Sequence, residues 1–230
     1  MKKYFKFIFE VIAIVLGITL SFVVDEWREK RQFREETLKV LKFIQSDLKQ
    51  DSSKLADLVA LNPKFFKTFL DNPDEATDTI RVQVTTLGVG SPPLVDITKS
   101  GYITLTTKRS IVMKNDSLLP LISSYYNDHE YDRTTENFRA SSRNLWNYVN
   151  KKFKSFYKIS AYSNSKLKFE DLAAIPDYLK HTREVTNQPE FRNLLFDKYV
   201  GFEINLKPES KHLMEEIGKI NRLIEIELND

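Results

Sequence analysis

The sequence predicts a mainly α protein: an N-terminal transmembrane helix continuing into a helical-bundle-like soluble domain, with at most a small β-hairpin between about residues 80 and 113. Three observations carry this expectation. An uncharged apolar run fills residues 11–24. Amphipathic stretches at helical spacing recur to the end of the chain. Glycine is scarce, six in 230 residues, which suits helices better than a sheet punctuated by glycine turns.

The apolar run decides the domain division, residues 1–24 as anchor and 25–230 as soluble domain. Extended back through Phe5 it reaches about twenty residues, and at ~1.5 Å per residue this spans a hydrocarbon layer roughly 30 Å thick. Lys2, Lys3 and Lys6 form a basic flank, yet Asp25-Glu26-Trp27 follows without a small-x-small cleavage pattern. An uncleaved signal-anchor is therefore expected rather than a signal peptide. Arg28, Lys30, Arg31 and Arg34 balance the basic flank on the other side, so the positive-inside rule alone does not orient the helix.

Within the anchor, Glu10, Ala13, Gly17 and Ser21 fall within about 80° of one another at 100° per residue. Small residues four apart let helices approach closely in lipid, so this face is expected to associate the anchors into a homo-oligomer. A carboxyl on a lipid-facing side is costly, which favours turning Glu10 inward; the alternative is that Glu10 snorkels to the headgroups beside Lys6. Trp27 is placed at the interface, where an amphipathic ring is favoured.

Charge and composition exclude several classes. Lys and Arg number 35 against 32 Asp and Glu, a net charge of +3, and the two signs are interspersed. No nucleic-acid partner is expected. Cysteine is absent, which removes disulfides, thiolate metal sites and cysteine nucleophiles.

Beyond the anchor neither Gly nor Pro occurs until Pro63, so one helix is expected to leave the membrane unbroken. Its stripe of Leu41, Ile44, Leu48, Leu55 and Leu58, interrupted by Asp51, should pack on the chain's own domain, with an intersubunit coiled coil as the alternative. Asn62-Pro63 ends that helix. A short helix is expected over 64–70, closed by Asp71-Asn72-Pro73. Ile80, Val82 and Val84 alternate through residues 79–86, the period of a strand, with 102–106 or 110–113 to pair with. Gly88, Gly90, Pro92 and Pro93 mark a loop.

Residues 96–105 read as a short helix closed by Gly101 in a left-handed cap, and Asp116 or Ser117 opens the next helix with Pro120 in its tolerated first turn. That helix is expected to run towards Tyr157 with a break near Asp132, turning Phe138, Leu145, Trp146, Val149, Phe153 and Phe156 inward. A polar loop over 160–168 and a short helix over 169–174 follow. Pro189 starts a helix reaching about Leu206, Pro208 interrupts it, and a last amphipathic helix over 209–228 buries Leu213, Ile217, Ile220 and Ile224.

Glu10, Gly17-Ile18 and Asp25-Glu26-Trp27-Arg28-Glu29, then Ser100-Gly101-x-Ile-x-Leu, Asn115-Asp116-Ser117-Leu118 and Tyr125-Tyr126, resemble an uncharacterised single-pass membrane protein family of Bacteroidota. Its members share an E-x(6)-G-I anchor, a W-x-E juncture, an S-G-x-L-x-L turn and a Y-Y helix. This chain differs from them in the extra length between Thr106 and Lys114. The resemblance implies placement in the plasma (inner) membrane with the soluble domain extracytoplasmic. It implies no catalytic residue.

The chemistry-bearing inventory is thin. His129, His181 and His212 lie far apart, none at zinc-binding spacing, and the local group Asp128, His129, Glu130 and Asp132 reads as a solvated turn. No catalytic residue, metal or cofactor is expected. Tyr102, Tyr125, Tyr126, Tyr131, Tyr148, Trp146 and Phe138 form an aromatic set read as core, with a ligand cavity as the alternative. The expected role is an interaction or sensory module of the cell envelope held to the lipid bilayer. The rivals are an oligomeric membrane effector or pore, and an enzyme with dispersed active-site residues.

Overall fold

In a computed structural model of the chain, the residues described are 2–61, 64–86, 94–108, 110–127, 129–152 and 175–229. Side chains are described from Ile12 onward, those of Ala13 and His129 excepted. The elements are α1 (Lys2–Ala60), α2 (Lys64–Asp71), α3 (Asp78–Thr86), α4 (Ser100–Thr106), α5 (Leu118–Tyr126), α6 (His129–Lys152), α7 (Pro176–Thr186), α8 (Pro189–Val200), a π-helical segment (Gly201–Leu206) and α9 (Lys207–Asn229). The chain divides into two compact units, one of residues 1–49, 98–126 and 218–230, the other of 50–97 and 127–217.

The first helix is unbroken for the reason its sequence offers: no helix breaker lies between Gly17 and Pro63. Glu26 pairs with Lys30 at 2.7 Å and Glu35 with Arg31 at 3.2 Å, each one turn apart on the exposed surface. Leu41, Ile44, Leu48, Leu55 and Leu58 are all buried, so the stripe packs within the chain itself. Asp51, which breaks the apolar pattern, is buried with them.

In the first unit, α4 crosses α1 at Gly101. A Cβ on Gly101 would meet the Ile44 main-chain nitrogen and Cγ1 at 2.8 Å, closer than carbon and nitrogen can pack. The reading of Gly101 as a left-handed cap is corrected: it lies at the start of α4, and no described glycine has positive φ. Close approach, not turn geometry, requires the missing side chain. Asp47 of α1 fixes the crossing by accepting from the Ser100 hydroxyl (2.7 Å) and the Gly101 N–H (2.8 Å), placing a carboxylate on unsatisfied donors of the α4 N-terminus. Before α5, the Asn115 side-chain oxygen accepts from the Ser117 N–H (3.0 Å) and hydroxyl (2.7 Å), and Pro120 sits in the first turn. Tyr126 stacks on Tyr102 with centroids 4.7 Å apart and meets Tyr125 edge-on at 4.9 Å.

The second unit has its core where α2, α3, α6, α7 and α8 bring together Phe66, Phe69, Val82, Leu145, Tyr178, Val185, Phe191 and Leu195. Phe69 and Phe191 meet edge to face at 6.2 Å. The expected hairpin does not appear among the described residues. Residues 79–86 lie in α3, 102–106 lie in α4, and no strand occurs among the described residues. Threonines around this stretch support the helix: Thr77 accepts from the Ile80 N–H at 3.3 Å as a cap, and Thr85 and Thr86 donate back to the carbonyls of Arg81 and Val82. Arg81 is the tertiary anchor of this helix, donating to the Ala76 carbonyl (3.1 Å), Pro73 carbonyl (2.8 Å), Thr186 hydroxyl (2.8 Å) and Asn187 side-chain oxygen (2.9 Å).

Further expectations are revised. The break between α5 and α6 comes before His129 rather than near Asp132. Phe138, Leu145 and Val149 are buried, whereas Trp146 is exposed. Phe153, Phe156, the polar loop over 160–168 and the helix expected over 169–174 lie outside the described residues. Pro208 does not interrupt the helix. Helical backbone continues from Pro189 through the π segment into α9. A proline lacks the N–H that an α-turn requires, and the wider i→i+5 turn just before it accommodates that loss. Leu213, Ile217, Ile220 and Ile224 are buried along α9.

Among the described residues no helix is long and apolar enough to cross a membrane. The apolar stretch whose side chains are described begins at Ile12, and 12–24 falls short of the ~20 residues that a span requires.

Candidate functional site

Two surfaces merit consideration as sites. The first is the apolar sleeve of α1. Ile12, Ile14, Val15, Leu16, Ile18, Leu20, Phe22, Val23 and Val24 are between 50% and 71% exposed. Because consecutive helical residues turn by 100°, this run is apolar in every direction, and among the described residues no neighbouring segment covers it. Trp27 borders the sleeve, 60% exposed, with the Arg31 guanidinium 5.7 Å from its ring centroid. Of the four residues expected to join anchors, Gly17 and Ser21 are exposed, and among the described residues nothing beyond the helix's own turn lies within 4 Å of a Cβ built on Gly17. The side chains of Glu10 and Ala13 lie outside the described residues.

The second surface is a groove of about 560 Å³ in the second unit, which the sequence reading missed. One wall is the face of α6 carrying Glu130, Arg133, Thr134, Asn137, Phe138 and Ser141. The other is built by four successive pairs: Phe196–Asp197, Val200–Gly201, Ile204–Asn205 and Pro208–Glu209. Their spacing is four residues throughout. On an α-helix a four-residue step overshoots a full turn by about 40°, so twelve residues would carry the pairs about 120° around the helix and out of line. The π segment between them turns less per residue and keeps the pairs on one wall. This repeated spacing was the signal available in the sequence.

Next to Asp197 in sequence, Lys198 is buried with its ammonium 5.7 Å from the ring centroid of Phe138, and burial pushes its pKa down to about 8. At one end Arg133 is held by Glu130 at 2.6 Å. Asp197 is exposed on the opposite wall. A second groove, about 460 Å³, includes Lys64, Lys67 and Lys207; the Lys207 ammonium there donates to the Leu61 carbonyl and to Glu203.

The remaining candidates are dispersed. Asp128 and the His129 side chain lie outside the described residues, Glu130 pairs with Arg133, and Asp132 is exposed. His181 faces Glu184 at 3.3 Å and His212 faces Glu216 at 3.8 Å, both on exposed helix surface. Among the described residues no three His, Cys, Asp or Glu side chains are grouped to hold a metal ion. Of the aromatic set, Tyr125, Tyr126, Tyr131 and Tyr148 are buried, and Phe138 alone lines either groove. Tyr131 donates to the Val95 carbonyl at 3.3 Å, and burial raises its phenol pKa. Comparison with family models, with curated proteins and with solved structures finds no match to this chain.

Proposed function

We propose that the chain is a membrane-anchored interaction module of the cell envelope, held in the lipid bilayer by α1 and extending its helical units from the membrane surface. The observation that carries this reading is the uncovered sleeve. Burying a large apolar side chain contributes about 1.5–3 kcal/mol, so nine such side chains left half or more exposed forgo on the order of 10 kcal/mol unless lipid or other helices cover them. An all-round apolar helix belongs in a bilayer or a protein core. The change to charged residues from Asp25 onward, with Trp27 at the boundary, is the pattern of a helix leaving the hydrocarbon layer. The anchors associate through Gly17 and Ser21, with Glu10 and Ala13 on the same helical face, and the units lie on the extracytoplasmic side, as the resemblance implies.

The test is alkaline-carbonate extraction of membranes from cells making the full chain. Retention in the pellet, abolished in a Leu16→Lys/Leu20→Lys variant, is the expected result; release of the parent chain overturns the anchor. The chain has no cysteine, so Asn144→Cys, on an exposed stretch of α6, provides a single label site for orientation. Modification by an impermeant maleimide only after lysis overturns the extracytoplasmic placement.

A further inference from the structure

We propose that the groove between α6 and the α8–π–α9 helix is a binding site for a neutral oligosaccharide. This deepens the interaction reading of the preceding subsection by naming the ligand class, and it does not depend on the anchor.

Size comes first. From Glu130 to Ser141 and from Phe196 to Glu209 the walls run about 16–20 Å at ~1.5 Å per residue. The volume of about 560 Å³ lies within the roughly 300–1,000 Å³ of small-molecule sites, drawn out over that length into an open trough. Such a trough takes a short chain of rings rather than a single one.

The lining then selects the chemistry. The four successive pairs of the second wall set two rows side by side: Phe196, Val200, Ile204 and Pro208 make an apolar row, and Asp197, Asn205 and Glu209 a polar row beside it. A chain of pyranose rings is divided in the same way, with C–H faces along one side and hydroxyls along the edge. Phe196 is 54% and Ile204 62% exposed, and the face of the Phe196 ring can stack on sugar C–H groups. Asn137 on the α6 wall and Asn205 on the other are exposed, and no other described side chain engages either amide. Each amide both donates and accepts, which matches neighbouring hydroxyls that do the same. The Asp197 carboxylate, also exposed, adds a strong acceptor for a hydroxyl.

The same lining disfavours other ligand classes. Arg133 is held by Glu130 at 2.6 Å and Glu209 is engaged elsewhere in the chain, so among the described lining residues Asp197 is the one charge without a partner. A phosphate or a polyuronate would meet that carboxylate and no available cation. The α6 wall contributes Phe138 as its one large apolar side chain, too little to seat the apolar stripe of a docking helix. Helical walls also present no strand edge to an extended peptide.

The experiment is isothermal titration calorimetry on the full chain in nanodiscs of zwitterionic lipid, with empty nanodiscs as the blank. The probes are maltohexaose, cellohexaose, mannohexaose, xylohexaose and chitohexaose, with hexagalacturonate as the charged counterpart. Saturable binding of at least one neutral probe with a Kd of about 1 mM or tighter is expected, with hexagalacturonate at least tenfold weaker. Phe196→Ala should weaken the bound probe at least tenfold and Asn137→Ala and Asn205→Ala each severalfold, while Ile226→Ala, a comparably exposed apolar side chain in the first unit, should change nothing. Absence of binding by every neutral probe overturns the proposal, as does binding unchanged by both Phe196→Ala and Asn137→Ala, or hexagalacturonate binding as tightly. Concentration-dependent self-association that blocks the sugar and is lost in Phe196→Ala assigns the trough to a second copy and likewise overturns it. Unchanged circular dichroism of each variant secures its fold, and carbonate extraction of the same chain reports separately on the anchor.

Discussion

Arg34 of α1 and Glu227 of α9 are joined twice, guanidinium to carboxylate and guanidinium to the Glu227 main-chain carbonyl at 2.9 Å. The same carboxylate accepts from the N–H groups of Lys114 (2.7 Å) and Asn115 (3.0 Å), and Arg34 donates also to the Val112 carbonyl at 3.2 Å. Three segments of the first unit are thereby tied at one buried point, ten residues beyond the apolar sleeve. Burial opposes ionisation of Glu227, but the donors outweigh it and hold its pKa below the ordinary value.

Removing one partner of such a pair leaves an uncompensated charge, so Arg34→Ala is expected to cost about 3–5 kcal/mol. Glu227→Gln keeps the shape while dropping the charge and should cost less. The pH dependence follows from the lowered pKa. Above the ordinary carboxylate range Glu227 is ionised in both states and the stabilisation is complete; it is lost as pH falls through the folded-state value. Denaturant midpoints between pH 7 and pH 3 should show this acid sensitivity reduced in Glu227→Gln. Equal acid slopes in the two chains would count against the clasp.

At Gly101, alanine places a methyl group 2.8 Å from the Ile44 main chain, and a backbone nitrogen cannot rotate away. Overpacking of this kind costs typically 1–3 kcal/mol. Gly101→Ala is expected to lower the melting temperature by several degrees, while Gly218→Ala, where among the described residues nothing beyond the helix's own turn lies within 4 Å of the added Cβ, should hold or raise it, since alanine is the better helix former. Thermal melts followed at 222 nm decide between them.

Arg81→Lys is expected to destabilise the second unit by about 2 kcal/mol or more. Four acceptors converge on the Arg81 guanidinium from α3's own approach and from the end of α7. A lysine carries three donors on a single point and cannot reproduce that fork. Urea unfolding of Arg81→Lys against the parent chain measures the loss, and an unchanged midpoint would remove the role assigned to the fork.

What the sequence disclosed follows a physical line. The first helix was legible because breakers are local: without Gly or Pro before Pro63, and with leucines at helical spacing, nothing tertiary was needed to place it. The stretch 79–86 was misread because Ile80, Val82 and Val84 fit period two as well as they fit one broad helical face. The decision came from the threonine back-bonds and from Arg81's acceptors about a hundred residues away. Gly101 was read as a turn residue because its reason for being glycine, Ile44, is 57 positions distant. At Pro208 a local rule met an exception that only the π turn explains. The sleeve was visible as composition, whereas the trough required two helices to be set side by side; its trace in one of them was the four-residue spacing from Phe196 to Pro208.

The last prediction concerns Lys198, buried against Phe138 with its pKa brought down to about 8 by desolvation. Below that value both folded and unfolded chains carry the proton, and holding the charge inside carries a desolvation cost on the order of 3 kcal/mol, which the ring contact offsets in part. Between about 8 and the ordinary lysine value near 10.5 the folded chain has released its proton while the unfolded chain still binds one. The unfolded state then holds more protons, so the unfolding free energy rises with pH across this window. Buried Tyr131 and Tyr178, whose pKa values burial raises, act in the opposite direction once unfolded tyrosines ionise near pH 10, which places the clear rise between about pH 8 and 10. Lys198→Met, with similar length and no charge, is expected to be more stable than the parent at pH 7.5 and to lose the rise. Denaturant unfolding of both chains at pH 7.5, 8.5 and 9.5 provides the comparison, and parallel curves would show that the Lys198 ammonium is not desolvated in the folded protein.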